Sequence, residues 1–371
     1  MRISRGIKLG VLAAAVAMAI TSCSSSGKGG GSSSSPPVSS PAASGSSTTP
    51  SLKSLKVGLA YDVGGRGDKS FNDLAAAGLA KAKKNFEIQT KELSAVQGES
   101  DQQKADRLTL LAQAGYNPVV AVGFAYATGV MKVAPNFPKT EFGIVDDGGN
   151  CTSKADGGTG VLPNVTCLLF TENESSYLVG VAAALASKAH NIGFIGGVQT
   201  PLILKFQAGY QAGAKAIDPK IKVQVAYISQ APDFTGFNDP AKAKTIAEGQ
   251  YDNGADVVYH AAGGSGSGLF KAAVEKKKLA IGVDSDQYQT ATPAQKPYIL
   301  TSALKGVDTA VYNFIEQAGT GKLKTGVQRF SLADNGVGYA TSNPKIAAYK
   351  ATIEKYKAKI ISGAIKVPTA P

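Results

Sequence analysis

Tryptophan is absent from the 371 residues, histidine occurs twice, and cysteine and methionine three times each. Two histidines and no C-x-x-C spacing leave too few ligands for a zinc site. A serine or cysteine nucleophile needs a histidine base, and only His260 falls near a candidate site. Its expected role is that of a strand-end histidine satisfied by backbone. His190, near the end of an expected helix, sits where a cation is comfortable. No catalytic constellation emerges, so the chain reads as a non-enzyme without cofactor or metal. The lack of tryptophan also counts against a free-sugar site. The glycine run Gly263 to Gly268 (G-G-S-G-S-G) has no Walker spacing, is followed by Leu269 instead of completing G-x-G-x-x-G, and is not G-x-S-x-G. It indicates close approach of backbone to a ligand at a helix start, not a phosphate loop or a nucleophile elbow.

What the chain has in excess is positive charge, 39 Lys+Arg against 27 Asp+Glu, for a formal +12. The lysines are scattered. The clusters Lys83-Lys84 and Lys276-Lys277-Lys278 stand where helices should end, which suits the macrodipole. The charge therefore reads as solvated surface, with no nucleic-acid partner. Arg2, Arg5 and Lys8 precede an apolar run from Leu9 to Ile20, too short for a comfortable membrane span. Ile20-Thr21-Ser22-Cys23 follows. This order resembles the signal and lipobox of bacterial lipoproteins. Residues 1–22 are then a signal peptide, Cys23 carries the lipid (palmitate among its acyl chains), and 23–54 is a Gly/Ser/Pro-rich tether. The body is expected on the extracytoplasmic face of the cell membrane. Outside the reducing cytosol, Cys151 and Cys167, sixteen residues apart, are expected to pair as a disulfide.

Beyond the tether, strands and helices alternate. Strands are expected at 56–62, 88–93, 118–124, 141–146, 165–170, 191–196, 222–228, 255–260, 279–284 and 298–302. Helices are expected at 72–85, 99–115, 126–133, 174–189, 203–217, 239–253, 268–277, 304–319 and 343–360. Such alternation builds parallel sheets with helical crossovers. Two runs of β-α units give an α/β protein of two doubly wound lobes, 55–165 with 285–318 and 166–284 with 319–371.

The stretch Asp62-Val63-Gly64-Gly65-Arg66-Gly67-Asp68-Lys69-Ser70-Phe71-Asn72 follows the apolar run 56–61 and precedes a helical pattern. Ser70-x-x-Asp73 is a capping-box pattern for that helix. Strand, glycine loop and helix place ligands at the carboxyl edge of an open α/β sheet, although an ordinary β-α loop has the same parts. A second unit, Ile192 to Gly197 and then Phe206, repeats the arrangement. Facing lobes would present Phe71 and Phe206 to one cleft, while either ring alone also reads as core. Other strand ends carry Asp146 and Asp147, His260 and the glycine run, Asp284 and Asp286, and Ser302 and Lys305. This set suits a neutral ligand, aromatic on one side and hydroxylated on the other. A ring between two phenyl groups gains roughly 1–3 kcal/mol per stacking partner. Vicinal hydroxyls would donate to Asp284 and accept from Lys305, and ring N–H groups would donate to Asp146. A nucleoside fits, and a phosphate would be repelled by so many carboxylates. A sugar or other polyol, or a surface lipoprotein that senses without transporting, are the alternatives. Asp68 and Lys69 read as rim residues that order the loop. Nucleoside hydrolases, with their D-x-D-x-x-x-D-D cluster, are excluded because Val63, Gly64 and Gly65 follow Asp62.

Nine stretches in order carry a wider likeness: D-V-G-G-R-G-D-K-S-F-N-D (62–73), A-V-G-F (121–124), E-S-S-Y-L-V-G (174–180), N-I-G-F-I-G-G (191–197), K-F-Q-A-G-Y-Q-A-G (205–213), F-N-D-P-A-K-A-K (237–244), G-A-D-V-V-Y-H-A-A-G-G-S-G-S-G (254–268), G-V-D-S-D-Q (282–287) and L-T-S-A-L-K-G-V-D-T-A-V-Y (300–312). Together they resemble the basic membrane protein family of substrate-binding lipoproteins, among them purine nucleoside receptors that feed an ABC transporter. The resemblance implies a type I periplasmic-binding fold whose lobes are joined by a three-stranded hinge, an ABC permease as partner, and a monomer. It implies that Asp62 and Asp146 hold the base, that Phe71 and Phe206 stack on it, that Asn72 and Gly264 line the site, and that Asp284 and Lys305 hold the ribose. The segment 148–163 is longer than the family leads one to expect, which makes it a candidate for altering entry to the cleft.

Overall fold

Short apolar runs alternating with helical segments do fold into two parallel-dominated sheets. The computed structural model describes residues 52–371; the expected signal peptide, Cys23 and all of the tether before Leu52 lie outside the described residues. In chain order the strands are β1 (Lys56–Ala60), β2 (Gln89–Leu93), β3 (Val119–Ala121), β4 (Phe142–Val145), β5 (Val165–Phe170), β6 (Asn191–Gln199), β7 (Lys222–Gln230), β8 (Val257–Ala261), β9 (Leu279–Asp284), β10 (Ile299–Lys305), β11 (Gly326–Phe330) and β12 (Val337–Tyr339). The helices are α1 (Phe71–Phe86), α2 (Asp101–Gln113), α3 (Ala127–Val133), α4 (Glu172–Ala186), α5 (Pro201–Ile217), α6 (Pro240–Asp252), α7 (Gly266–Lys276), α8 (Gln287–Thr290), α9 (Val307–Gly319) and α10 (Ala347–Ile361).

The first sheet runs β11-β5-β4-β3-β1-β2 and the second β12-β10-β9-β8-β6-β7. The two orders correspond strand for strand, so β4 is the counterpart of β9 and β3 of β8. All pairs are parallel except β12, which lies antiparallel on β10. Strands β3, β4 and β8 are wholly buried, as parallel strands covered on both faces should be. The edge strand β2 has no fully buried residue; its five positions are exposed or half-buried.

The expected lobe boundaries do not follow the sheets. Strand β10, assigned to the first lobe, pairs in the second sheet, while β5 and β11, assigned largely to the second, pair in the first. Periodicity reports that a strand is buried, not which sheet accepts it. The chain passes between the sheets three times, at Thr171 after β5, at Gly306 after β10, and over 331–336 between β11 and β12. Three passages are what the resemblance implies, at different places in the chain. Strands β11 and β12 and the one-turn α8 were not expected. β11 carries Gln328 and Arg329, and β12 spans three residues, too short for a pattern.

One apolar core runs through both lobes on the hinge side, from Leu59 and Phe314 to Tyr210, Tyr259 and Ile353. Two smaller clusters cover the outer faces, one around Leu108 and Phe142 and the other around Val258 and Leu269. Helices α4 and α5 pack closely because small residues face backbone there: a Cβ on Gly209 would stand 2.1 Å from the Asn173 carbonyl oxygen. The disulfide Cys151–Cys167 forms and ties the 148–163 segment to β5.

Candidate functional site

The cavity is assembled from strand ends, and each lobe supplies matching parts. Asp62 stands two residues past the end of β1, after Tyr61. Its N–H donates to Asn72 Oδ1 at 3.0 Å, and its carboxylate accepts from the Val63 N–H at 2.8 Å. Gly123 after β3 has φ 101°, and a Cβ there would lie 2.2 Å from Asp62 Oδ2. Glycine at 123 is therefore what lets the carboxylate occupy this place. Asp146 after β4 and Asp284 at the end of β9 occupy corresponding positions, both with left-handed backbone, φ 68° and 61°. Aspartate enters this region at a cost, and such conformations cluster at functional sites.

The expected capping box at α1 is not what forms. Ser70 makes no side-chain cap. Asp68 takes that role, accepting the N–H groups of Ser70, Asn72 and Asp73 at 2.8–3.1 Å. Asp73 reaches back to the N–H groups of Gly67 and Lys69. The hydroxyl of Ser70 is thus free to turn toward the second lobe.

All eight residues named from the sequence, Asp62, Phe71, Asn72, Asp146, Phe206, Gly264, Asp284 and Lys305, line one cavity of about 560 Å³ including its mouth. Phe71 opens α1 in the first lobe and Phe206 lies in the second turn of α5 in the second. Lys305, at the end of β10, places its ammonium 5.1 Å from the Phe71 ring centroid, 5.6 Å from Phe206 and 5.0 Å from Phe170. The same nitrogen lies 2.6 Å from Asp146 Oδ2 and 3.2 Å from Glu172 Oε1. Lys305 is therefore paired with Asp146 rather than with Asp284, which bonds Ser70 Oγ at 2.7 Å. Asp146 Oδ1 is buried without a hydrogen-bond partner.

Burial governs the proton affinities here. It pushes the Asp62 carboxyl up to about 7, with the Val63 N–H opposing. It pushes Asp146 and Asp284 up to about 6 each, with Lys305 opposing. Burial alone would lower the Lys305 ammonium, but Asp146, Glu172 and Asp284 together hold it above its ordinary value. Four carboxylates and one ammonium on the wall disfavour an anionic ligand and favour one rich in N–H and O–H donors.

Several lining residues were not singled out from the sequence. Phe124, next to Gly123, meets Phe234 at 5.6 Å and Phe237 at 6.3 Å, edge to face across the two lobes. Phe124 and Phe237 both line the cavity, with Leu202 and Ile203; Asp68, read from the sequence as a rim residue, lines it too, while Lys69 does not. Nothing in local spacing reports this meeting of β3 and the turn before α6. Glu172 was missed because the helix was expected from 174; α4 begins two residues earlier. His260 is buried, but its partner is the Gln287 side chain at 2.9 Å instead of backbone. Its pKa is lowered by burial to about 4, so it is neutral at neutral pH. His190 pairs with Asp218 at the surface. No residue of 148–163 is among those lining the cavity.

Residues 55–370 match the family model for the ABC transporter substrate-binding protein PnrA-like. A protein of Lactococcus lactis named ABC transporter nucleoside-binding protein BmpA is 36% identical over 330 residues, covering 85% of this chain and 89% of that one. A CD4+ T-cell-stimulating antigen of Listeria monocytogenes is 34% identical over 337 residues, covering 86% and 90%. An uncharacterized lipoprotein of Pyrococcus horikoshii is 35% identical over 301 residues, covering 77% and 69%. Among solved structures, an ABC transporter solute-binding protein from Aeropyrum pernix superposes with TM-score 0.72 at 26% identity, covering 85% of this chain and 94% of that one. With two parallel-dominated sheets, a cavity lined from both lobes and these matches, the chain belongs to the basic membrane protein family of ABC-transporter substrate-binding proteins.

Proposed function

We propose that the cavity captures a nucleoside, a purine by preference, and that the protein delivers it to an ABC permease without catalysis. The observation that carries this reading is Asp146 Oδ1, a carboxylate oxygen without a hydrogen-bond partner, whose side chain is 4% exposed, on the wall shared with Phe71 and Phe206. An unpaired buried acceptor is costly, and a ring N–H donor would satisfy it. Phe71 and Phe206 supply stacking faces, and Asp62 a second acceptor. Asp284 and Lys305 meet the ribose hydroxyls; Lys305 holds its ion pair with Asp146 meanwhile. The name of the Lactococcus relative supports the ligand class. A sugar uses the carboxylates but not two phenyl faces from opposite lobes.

Ligand held by groups of both lobes favours their closed arrangement, which the permease would recognise. Anchoring through lipidated Cys23 fits a relative named a lipoprotein. No helix of the described residues is long and apolar enough to cross a membrane. The protein acts in this reading as a monomer. Calorimetry with inosine, guanosine, adenosine, uridine and ribose tests the ligand class. At least one nucleoside should bind tightly, with purines ahead of uridine; ribose binding best would overturn the reading.

A further inference from the structure

The tip of the 62–72 loop docks on the second lobe. Lys69 has left-handed backbone, φ 54°, and its carbonyl oxygen accepts from Ser285 Oγ at 2.6 Å and from Gln287 Nε2 at 3.3 Å. Its ammonium donates to the Thr290 carbonyl at 3.3 Å. Ser70 is wholly buried, with Oγ 2.7 Å from Asp284 Oδ2 and 3.2 Å from the Val283 carbonyl. A hydroxyl carries one proton, and the shorter contact to the carboxylate takes it.

Both surfaces are held rigid from behind. On the loop side, Asp68 and Asp73 collect five backbone N–H groups between them. On the receiving side, Gln287 Oε1 accepts from the Val283 N–H and meets His260 Nε2, each at 2.9 Å. An amide oxygen only accepts, so His260 carries its proton on Nε2. Its Nδ1 accordingly has no partner. Ser302 Oγ accepts the Gln287 N–H at 3.2 Å. Among the described residues, Ser70 supplies the side-chain hydrogen bond that Asp284 receives.

We propose that Ser70 is a positioning residue: its hydroxyl, delivered from the first lobe by the docked loop tip, pre-orients the Asp284 carboxylate of the second lobe for the hydroxyls of the ligand. The remaining Asp284 oxygen then faces the cavity with fixed geometry. The identity of the ligand hydroxyls rests on the nucleoside reading; the contact itself does not.

The test compares wild type, Ser70→Ala, Asp284→Asn and the double variant by calorimetry with inosine and 2′,3′-dideoxyinosine. Ser70→Ala should weaken inosine about tenfold, the worth of one charge-assisted hydrogen bond. It should leave 2′,3′-dideoxyinosine within about twofold, and add nothing in the Asp284→Asn background. Equal losses for both ligands, or full additivity with Asp284→Asn, overturn the proposal. A second measurement needs no ligand: carboxyl NMR of Asp284 in the ligand-free protein. Losing a donor to the ionised form should raise its titration in Ser70→Ala, and an unmoved titration overturns the proposal. Should inosine fail to bind while the titration moves, the nucleoside reading has failed and the positioning role stands.

Discussion

Replacing Asp62 by asparagine should stabilise the ligand-free protein at alkaline pH while abolishing ligand capture. Asp62 is 8% exposed, and burial raises its pKa from 3.8 to about 7. The folded protein therefore keeps this proton at pH values where the unfolded chain has lost it. Stability contributed by the protonated group is fully present below pH 4 and is lost as pH rises through 7. At pH 8 the loss spans about three pH units, worth about 4 kcal/mol at ~1.4 kcal/mol per unit. At pH 5 only about one unit has been crossed, or about 1.5 kcal/mol. The substituted amide cannot ionise, and its oxygen still accepts from the Val63 N–H. Any cost of seating the amide nitrogen beside Gly123 is the same at both pH values and cancels. The stability difference, Asp62→Asn minus wild type, should thus grow by about 2.5 kcal/mol between pH 5 and pH 8. Urea unfolding of both proteins, freed of ligand, measures it directly. A difference that does not change with pH would refute the claim that Asp62 is held protonated by burial.

Ligand binding should itself weaken as pH falls through 7 to 6, because Asp62, Asp146 and Asp284 accept donors best when ionised; calorimetry with inosine from pH 8 to pH 5 checks the direction. Lys305→Met strands Asp146 and Glu172 and should cost about 3–5 kcal/mol of stability. Adding Asp146→Asn should recover a good part of that, and a double variant no more stable than the single would contradict the ion pair's role. Phe206→Ala should cost a nucleoside roughly 1–3 kcal/mol of affinity and ribose little, read from the same titrations. Breaking the disulfide with Cys151→Ser and Cys167→Ser should cost about 3 kcal/mol for a loop of this size. Nucleoside affinity should stay unchanged, since neither the disulfide nor 148–163 lines the cavity.

Local chemistry accounts for much of the candidate site's lining. Asp62, Asp146, Asp284 and Lys305 each end or follow an apolar run, and in a parallel sheet the carboxyl ends of strands share one edge. Their meeting in one cavity is a consequence of β-α alternation, which the sequence alone determines. The Phe71 and Phe206 pair was legible for the same reason, as two copies of one strand-loop-helix unit. The disulfide followed from compartment and spacing.

Only the tertiary structure decided who partners whom. Strand β10 joins the second sheet because β9 and β12 flank it there, and no periodicity encodes a neighbour. That placement sets Lys305 against Asp146 instead of Asp284, and leaves Asp284 to Ser70. Ser70 has the spacing of a helix cap, but Asp68 occupies that role, and its hydroxyl serves the other lobe. Phe124 meets Phe234 and Phe237 because two lobes face each other, a relation between residues more than a hundred positions apart. Sequence determines which groups reach the edge of each sheet, because strand direction and burial are local properties. Pairing across the cleft, and the proton affinities that burial imposes on it, arise only when the two sheets are brought together.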